Sequence, residues 1–332
     1  MNKIKKIAIT MGDPAGIGPE VILRALLESP EMRDFCIPIV IGDRVVMEEA
    51  MHFTGLSVKL NIIRTPEEAK VTPGSVDVID LATLNSFEKN KPTAEGGRAS
   101  ASYIRKAVEL AVNKQVDAIV TAPISKEALK MAGMNWPGHT EMIAELTGTK
   151  DYAMMLAGGP LRVILVTIHT ALRNVPDLVT KDKVLKTIRL AKKACSMLGI
   201  RNPRIAVAGL NPHAGESGIF GDEEIREIVP AIEAAALEGL QATGPFPPDI
   251  VFNKAYRGEV DIVVCMYHDQ GLIPLKMIAF DKGVNVTIGL PIIRTSPDHG
   301  TAYDIAWSGS TGKADPSSMI EALKLASHMI PA

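Results

Sequence analysis

The chain has 332 residues, of which 46% are hydrophobic and 22% charged, ordinary values for a globular protein with room for two domains and a large core. Its formal net charge of −2 and its pI near 6.4 exclude a global basic field of the kind that attracts nucleic acid or an anionic membrane. Any anionic ligand must therefore be bound by a local group of donors.

The cysteines and the apolar runs favour a reducing compartment. The cysteines are far apart and odd in number, which argues against a disulfide framework; they are Cys36, Cys195 and Cys265. The apolar run after the basic start is cut short by Gly12-Asp13-Pro14, so it does not match a secretion signal. The longest apolar candidate, around 154–168, is interrupted by Gly158-Gly159 and Arg162, which excludes a membrane span. We therefore expect a cytoplasmic protein.

The first half of the chain predicts alternating strands and helices. Ile4–Thr10 predicts a strand, and the loop GDPAGIGPE then leads into a helix over Val21–Leu27, because Pro19 and Glu20 suit a first helical turn. The glycine spacing matches neither the dinucleotide fingerprint nor the P-loop, so a tight turn and a ligand loop are equally consistent with it. Further strands are predicted at 37–41, 58–63, 76–80 and 118–121, and helices before His52, over 95–113, after Ser125 and after His139.

The second half continues the alternation. Strands are predicted at Arg162–Ile168, Arg204–Ala208 and Asp261–Met266, and helices at Lys181–Leu198 and Gly221–Glu238. A Pro-rich loop over Pro245–Asp249 carries Asp249. The alternation predicts an α/β fold with mainly parallel pairing.

Three histidines share one local position, directly beyond an apolar strand: His169, His213 and His268. Loops after parallel strands meet at the same edge of a sheet. Three neutral imidazoles suit Zn2+ or a similar divalent ion with one coordination position left open. For each histidine alone, a hydrogen-bonded loop residue is the better interpretation, and only the repeated placement favours a metal site.

A second set of residues could bind a phosphate or carboxylate. His139 and Thr140 precede an apolar helix, with Thr140 as a candidate N-cap. A helix N-terminus is a good site for an anion, and one histidine there is also consistent with a purely structural role. Lys276 and Arg294 are candidate anion donors, although solvated surface charge is the usual fate of such side chains. Arg294 is the hardest to dismiss because it follows an apolar run.

Longer motifs identify a family. The GDPAGIGPEV opening resembles an expanded form of the opening of the isocitrate and isopropylmalate dehydrogenases, and HGTAYDIA at 299–306, continuing to Pro316, resembles their loop for the adenosine half of the cofactor. The closer resemblance is to the 4-hydroxythreonine-4-phosphate dehydrogenase family of vitamin B6 biosynthesis, including its 4-phospho-D-threonate and 4-phospho-D-erythronate dehydrogenase paralogues. The matching segments span nearly the whole chain: TMGDPAGIGPE, TAPISKEAL, GHTE, TIHT, GLNPHAGE, CMYHDQG and GVNVTIGLPIIRTSPDHGTA.

The resemblance implies two α/β/α domains with a cleft between them, as in isocitrate and isopropylmalate dehydrogenase. We expect residues 1–125 plus 285–332 to form the domain with the cofactor loop, and 126–284 to form the domain with the metal ligands and dimer contacts. The implied reaction is the NAD- or NADP-dependent oxidation of a 4-phosphorylated 3-hydroxy acid, followed by decarboxylation. The implied metal is Zn2+ first, with Mg2+, Mn2+ or Co2+ as alternatives, and the implied assembly is a homodimer whose subunits share their active sites.

The resemblance also assigns residues by position. His169, His213 and His268 match the metal ligands, contributed by both subunits, and the remaining residues fall into three groups. Substrate binding is implied for His139, Thr140, Lys276, Asn285 and Arg294. Cofactor binding is implied for Gly12, Asp13, Gly16, His299, Gly300, Thr301, Ala302 and Asp304. Asp249, Asp269 and Lys276 are the candidates for proton handling, and the two aspartates alternatively orient a ligand histidine.

Alternative functions stay open at this point. TAPISKEAL, GIFGDEEI and PPDIVF favour the paralogues that oxidise 4-phospho-D-threonate or 4-phospho-D-erythronate. A metal-dependent hydrolase or aldolase would use the same histidines and anion donors without a nicotinamide. A non-catalytic sensor of phosphorylated metabolites would bind the same ligand without turnover. The opening loop and the HGTA loop favour the dehydrogenase.

Overall fold

The computed structural model describes residues 4–29, 32–308 and 314–331. The chain divides into two compact units, Met1–Lys150 with Leu290–Ala332, and Asp151–Gly289. The expected boundaries, after 125 and after 284, differ from this division for two reasons. The helix at Lys126–Met131 packs on the helix at Ala94–Val112 in the first unit, where a Cβ on Gly97 would lie 2.1 Å from the Ala128 carbonyl oxygen. The strand at Val284–Ile288 pairs with a strand of the second unit.

The strands in the described residues are short and mostly buried. In chain order they are β1 Lys5–Thr10, β2 Cys36–Gly42, β3 Lys59–Ile63, β4 Ser75–Asp80, β5 Ala118–Thr121, β6 Ala153–Gly158, β7 Leu161–Leu165, β8 Ile205–Ala208, β9 Ala242–Phe246, β10 Ile262–Cys265, β11 Val284–Ile288 and β12 Arg294–Pro297.

The α-helices alternate with these strands. They are α1 Gly18–Glu28, α2 Met32–Phe35, α3 Arg44–Thr54, α4 Ala94–Val112, α5 Lys126–Met131, α6 His139–Leu146, α7 Val175–Leu178, α8 Lys181–Met197, α9 Val229–Leu237, α10 Pro248–Tyr256, α11 His268–Ala279 and α12 Ser317–Met329. No described helix combines the length and the apolar character needed to cross a membrane.

The sheet of the first unit is parallel throughout, in the order β3-β4-β2-β1-β5-β12. Its central strand β1 is apolar and fully buried over Ile7–Ile9, as expected for a parallel strand covered on both faces. Thr10 and Thr121 are register partners at the ends of β1 and β5. The predicted α/β alternation and parallel pairing are confirmed here.

The second unit has the strand order β11-β6-β7-β10-β8-β9. The strands from β7 to β9 are parallel, whereas β11, β6 and β7 pair antiparallel. The β6–β7 hairpin turns at Gly159, which has φ of +54°. The sequence interpretation missed β6, because its continuous apolar run shows no period that marks a strand.

One local prediction was wrong, and two others were correct only in part. The predicted Pro-rich loop at 245–249 is the end of β9 and the start of α10, which places Asp249 in the first turn of α10. The predicted helix at 221–238 contains a π-helical turn, Glu224–Ile228, before α9. The predicted strand at 162–168 ends at Leu165, after which the chain turns away towards His169.

Candidate functional site

The loops that carry the three histidines follow three neighbouring strands. β7, β10 and β8 are adjacent and parallel, so their carboxyl ends lie at the same edge of the sheet. Hydrogen bonds join the loops. The Thr167 hydroxyl donates to the Met266 carbonyl at 2.7 Å, and the Gln270 side chain accepts from the Met266 amide and donates to the Gly209 carbonyl, both at 2.7 Å. The predicted convergence of these strand ends is confirmed.

His169 and His268 lie together in one cleft. Their ring centroids are 5.6 Å apart with planes inclined by 43°. Both line a cleft of about 560 Å³ whose other walls include Ile168, Tyr267 and Asp269. His169 is exposed and His268 is partly buried, so both rings are accessible to a ligand in the cleft.

Asp269 contacts the ring of its neighbour in sequence. His268 Nδ1 and Asp269 Oδ1 are 2.7 Å apart. When Nδ1 carries the proton, it donates a hydrogen bond to the carboxylate, and Nε2 keeps its lone pair for a ligand. A carboxylate on the far nitrogen is the usual support of a metal-ligating histidine, so this contact is the one that the orienting role of Asp269 requires. Asp249 is exposed on α10, and its role stays a prediction.

His213 stands in an unusual backbone turn. Five consecutive residues, 213–217, have positive φ: 52°, 54°, 81°, 45° and 58°. A positive φ at a residue other than glycine costs on the order of 1–3 kcal/mol and persists only where the surrounding structure enforces it. His213 is exposed, 4.0 Å from the Glu216 carboxylate and with its ring 5.9 Å from that of Phe220.

The residues present fit a divalent metal ion in part. The His169–His268 pair, with the Asp269 carboxylate on one ring, supplies borderline-soft nitrogen donors of the kind that Zn2+ binds. Within the described residues of one chain, no group of three or more His, Cys, Asp or Glu side chains is arranged to hold a metal. The set of three predicted ligands is therefore not assembled inside one chain.

In the first unit the two motifs matched to cofactor binding contact each other. The Ile17 amide donates to the Thr301 carbonyl at 3.0 Å, and a Cβ on Gly16 would lie 2.8 Å from the same oxygen. The Tyr303 hydroxyl donates to Asp13 Oδ2 at 2.7 Å, and the Ala15 amide donates to Asp13 Oδ1 at 2.9 Å. Burial raises the pKa of Asp13, and these two hydrogen bonds oppose the rise.

This packing explains the glycines of the opening loop without a ligand. A Cβ on Gly12, whose φ is +76°, would lie 2.3 Å from the Pro123 carbonyl, and one on Gly18 would lie 2.3 Å from the Met11 carbonyl. The exposed residues of the pair of loops are Gly300 and Asp304, and a Cβ on Gly300 would meet nothing within 4 Å. Ala302 has φ of +44°, and His299 is partly buried. Residues 312 and 313 of the matched motif lie outside the described residues.

Arg294 is a deeply buried cation of the first unit. Its side chain is 2% exposed, and Nε and Nη2 donate to the Thr121 hydroxyl at 3.2 and 2.7 Å. Burial lowers the pKa of Arg294 to about 9, against the attraction of Glu141, so the guanidinium is still charged at neutral pH.

His139 lies beside Arg294 and is neutral. Burial lowers the pKa of His139 well below its usual value, the charge of Arg294 lowers it further, and a hydrogen bond to the Ala122 backbone opposes both. Nε2 is buried and has no hydrogen-bond partner among the described residues. The guanidinium can bind an anion, and the neutral imidazole beside it can accept a hydrogen bond from a hydroxyl group.

The remaining substrate candidates are distributed over both units. The prediction of Thr140 as an N-cap was wrong, because α6 begins at His139 and its N-cap is Gly138. Thr140 is a buried residue of the first turn. Lys276 lies on α11, with Nζ 5.8 Å from the centre of the Phe280 ring. Asn285 lies on β11 as the register partner of Leu156. Both side chains are partly buried.

Sequence reasoning missed several residues that support these sites. Tyr303, Thr121, Gln270 and Glu224 each bond a loop or a side chain of the candidate sites. All four lie inside motifs that the sequence analysis names, but none of them was a candidate residue. The supporting role of Gln270 and Glu224 could not be predicted, because each bonds the backbone of a loop that only the fold brings near it.

The fold and the two sites define the class of protein, an enzyme of the α/β type. One unit has a histidine pair suited to a metal ion, and the other has a buried arginine suited to an anion. The chain belongs to the PdxA family. The family model described as pyridoxal phosphate biosynthetic protein PdxA matches residues 34–326, which confirms the resemblance seen in the sequence.

Relatives with curated names agree. The chain is 53% identical to a 4-hydroxythreonine-4-phosphate dehydrogenase of Desulfosudis oleivorans, over 98% of this chain and 96% of that one. It is 48% identical to a D-threonate 4-phosphate dehydrogenase of Salmonella typhimurium, over 98% of this chain and 99% of that one.

Solved structures confirm the fold. The crystal structure of a 4-hydroxythreonine-4-phosphate dehydrogenase from Klebsiella pneumoniae has 45% identity and a TM-score of 0.91, covering 99% of both chains. A beta-decarboxylating dehydrogenase from Thermococcus kodakarensis, with 14% identity and a TM-score of 0.51 over 95% of this chain and 80% of that one, shares the fold alone.

Proposed function

We propose that this protein is an NAD- or NADP-dependent dehydrogenase that oxidises the 3-hydroxyl of a 4-phosphorylated hydroxy acid and releases CO2, with 4-phosphohydroxy-L-threonine as the first candidate substrate. The observation that carries the proposal is the His169–His268 pair with Asp269 on one ring, in a chain that belongs to the PdxA family. The relatives' names supply the substrate class.

The first unit supplies the groups for an anionic substrate. Arg294 keeps its charge at neutral pH, with a pKa of about 9, and a guanidinium binds phosphate or carboxylate oxygens through charged hydrogen bonds. His139 is neutral, and its buried Nε2 can accept a hydrogen bond from a substrate hydroxyl. Thr140 in the next helical position offers a hydroxyl for the same ligand.

The second unit supplies the metal ligands and the proton-handling groups. His169 and His268 would hold a divalent ion, Zn2+ first, together with His213 of a second copy of the chain. That ion would supply a Lewis acid for the substrate's oxygens. Asp269 holds His268 in the orientation for binding, while Asp249 and Lys276 are the candidates that accept and return a proton. Lys276 and Asn285 also contribute donors for the substrate.

The loop at 299–306 and the opening loop are the proposed site of the nicotinamide cofactor, with the 299–306 loop at its adenosine half. NAD or NADP would supply the acceptor for the hydride that leaves the substrate carbon. Gly300, Ala302 and Asp304 offer backbone and carboxylate groups at the surface of this loop, while Gly12, Asp13, Gly16 and Thr301 give it its shape. His299 completes the proposed set. The proposal includes a cytoplasmic homodimer.

A substrate panel tests the proposal. The chain, loaded with metal, is assayed for NADH or NADPH appearance with 4-phosphohydroxy-L-threonine, 4-phospho-D-threonate and 4-phospho-D-erythronate. The second candidate function is the oxidation of phospho-D-threonate, favoured by the 48% identical relative of that name. Turnover of phospho-D-threonate without turnover of the threonine derivative would select that paralogue. Absence of nicotinamide binding by calorimetry with metal present would instead favour a hydrolase or aldolase.

A further inference from the structure

We propose that Glu224 is a positioning residue that holds His213 in the conformation for metal binding. The inference rests on the proposed function, in which His213 is a metal ligand. Glu224 lies in the π-helical turn Glu224–Ile228, fourteen residues beyond the loop that it contacts, and it is only 2% exposed.

The Glu224 carboxylate lies at the base of the His213 turn. Oε1 accepts from the backbone amides of Leu210 and Asn211 at 2.7 and 2.8 Å, and Oε2 accepts from Asn211 Nδ2 at 2.9 Å. The same Asn211 amide group also donates to Glu223 at 2.7 Å. These donors are neutral and belong to the segment that leads into His213, so the carboxylate fixes the start of the turn.

The glycines on both sides of His213 lie close to the same carboxylate, which leaves little room for a side chain at either position. A Cβ on Gly215 would lie 2.8 Å from Glu224 Oε2, and one on Gly209 would lie 3.1 Å from Oε1. Gly209 is also the residue whose carbonyl accepts from Gln270, two positions after His268 in the chain. The carboxylate therefore holds Leu210 and Asn211, which lie between Gly209, bonded to Gln270 of α11, and the left-handed backbone of 213–217.

Packing alone does not explain why the Glu224 carboxylate holds the turn at His213. The backbone at His213 has φ of 52°, which an L-residue adopts only when its surroundings impose it. The imidazole itself is exposed and does not stabilise the turn by burial. A turn that is held from below while its histidine points to solvent is suited to presenting a preorganised ligand.

The experiment measures Zn2+ affinity and backbone protection in the full-length, metal-free protein. Zn2+ is titrated against a chromophoric chelator, and hydrogen exchange is followed in the peptide that covers 209–220. Glu224→Ala removes every contact to the loop, whereas Glu224→Gln keeps one oxygen for the two backbone amides. Glu227→Gln is the matched control, because Glu227 lies in the same turn and accepts from the Lys181 amide instead. Ile228→Val controls for a loss of core packing in that turn.

We expect Glu224→Ala to weaken Zn2+ binding roughly 10- to 100-fold and to speed exchange in 209–220, with Glu224→Gln recovering part of the affinity and both controls behaving like the wild type. Zn2+ affinity of Glu224→Ala equal to that of Ile228→Val would overturn the positioning role. His213→Ala separates the two levels of inference. If it loses affinity while Glu224→Ala does not, only the role of Glu224 fails; if His213→Ala binds Zn2+ like the wild type, the proposed metal site fails and the role of Glu224 fails with it.

Discussion

At the scale of single residues, the candidate site of the first unit depends on two groups of different charge, the buried guanidinium of Arg294 and the partly buried, neutral imidazole of His139. The sequence made His139 a candidate for anion binding because it lies at a helix N-terminus, and Arg294 because it follows an apolar run. Their burial and mutual proximity, which hold His139 neutral and lower the pKa of Arg294, follow from tertiary packing and could not be predicted from sequence. The chemistry of the pair is therefore a property of the fold.

The neutral state of His139 predicts how stability depends on pH. An unfolded histidine titrates near pH 6.5, whereas burial keeps the folded pKa of His139 well below that value. In the window between them the unfolded chain binds more protons, so the free energy of unfolding falls as the pH falls. From about pH 7.5 to about pH 5.5, the wild type should lose about 1.4 kcal/mol more than His139→Gln.

Urea unfolding at the two pH values measures this difference, with His52→Gln on the surface of α3 as the control. The control should follow the wild type. Parallel pH profiles for the wild type and His139→Gln would show that His139 is protonated in the folded protein as readily as in the unfolded chain.

Arg294 predicts a second, independent effect on substrate binding. In Arg294→Lys the ammonium keeps the charge but loses the planar fork, which at present donates twice to Thr121, so a bidentate contact to the substrate is lost. Loss of one charged hydrogen bond of about 1.5–3 kcal/mol corresponds to a fall in kcat/KM of roughly 10- to 100-fold. Steady-state kinetics measure kcat/KM for Arg294→Lys and for the control Arg98→Lys, an exposed change on α4. Wild-type kcat/KM in both variants would contradict the predicted role of Arg294.

At the scale of elements, the sequence predicted the strands better than the loops beyond them. Apolar runs marked β7, β8 and β10, and parallel pairing puts their carboxyl ends at one edge of the sheet. Their order, with β10 between β7 and β8, was not predicted. The left-handed turn at 213–217 was not predictable, because it is enforced by Glu224 from a later turn rather than by local propensity. Strand β9 was also not predictable, because its Gly-Pro segment has the composition of a loop.

Tyr303 predicts how strongly the two loops of the proposed cofactor site depend on each other. Tyr303→Phe removes the hydroxyl that donates to Asp13 and leaves a buried carboxylate with fewer donors, which costs about 1–3 kcal/mol of stability. Because the 299–306 loop loses its anchor, the KM for the nicotinamide should rise several-fold while kcat changes little.

The matched control is Tyr256→Phe, whose ring is 54% exposed. Initial rates at varied NAD and fixed substrate measure the KM, and thermal denaturation measures the stability. A KM for NAD equal to that of Tyr256→Phe, despite the expected loss of stability, would mean that the loop does not hold the cofactor.

At the scale of the whole molecule, the second unit exposes apolar side chains that a single chain does not cover. Ile273, Met277 and Phe280 follow one another at helical spacing along α11 and its end, and they are 59%, 82% and 74% exposed. Contiguous apolar surface of this kind marks an interaction site. It supports the proposed homodimer.

A division of the metal ligands between two chains predicts that two inactive variants restore each other. In a mixed dimer of His268→Ala and His213→Ala, one site combines the intact His169–His268 pair of one chain with the intact His213 of the other. Random association gives a mixed dimer in half of the molecules, with one of two sites intact, so activity should return to about a quarter of the wild-type value. Each variant alone should be nearly inactive.

The control for this experiment is a mixture of His268→Ala with His169→Ala. These two residues form one pair on the same chain, so every site of that mixed dimer lacks a ligand and no activity should return. Co-expression with two different affinity tags isolates the mixed dimers in both cases. In the isolated dimer of His268→Ala with His213→Ala, one of the two sites is intact, so activity should be about half of the wild-type value. Zinc content measured on the same samples tests ligand binding apart from turnover. Equal recovery in the two mixtures, or none in either, would contradict a site whose third histidine comes from the second chain.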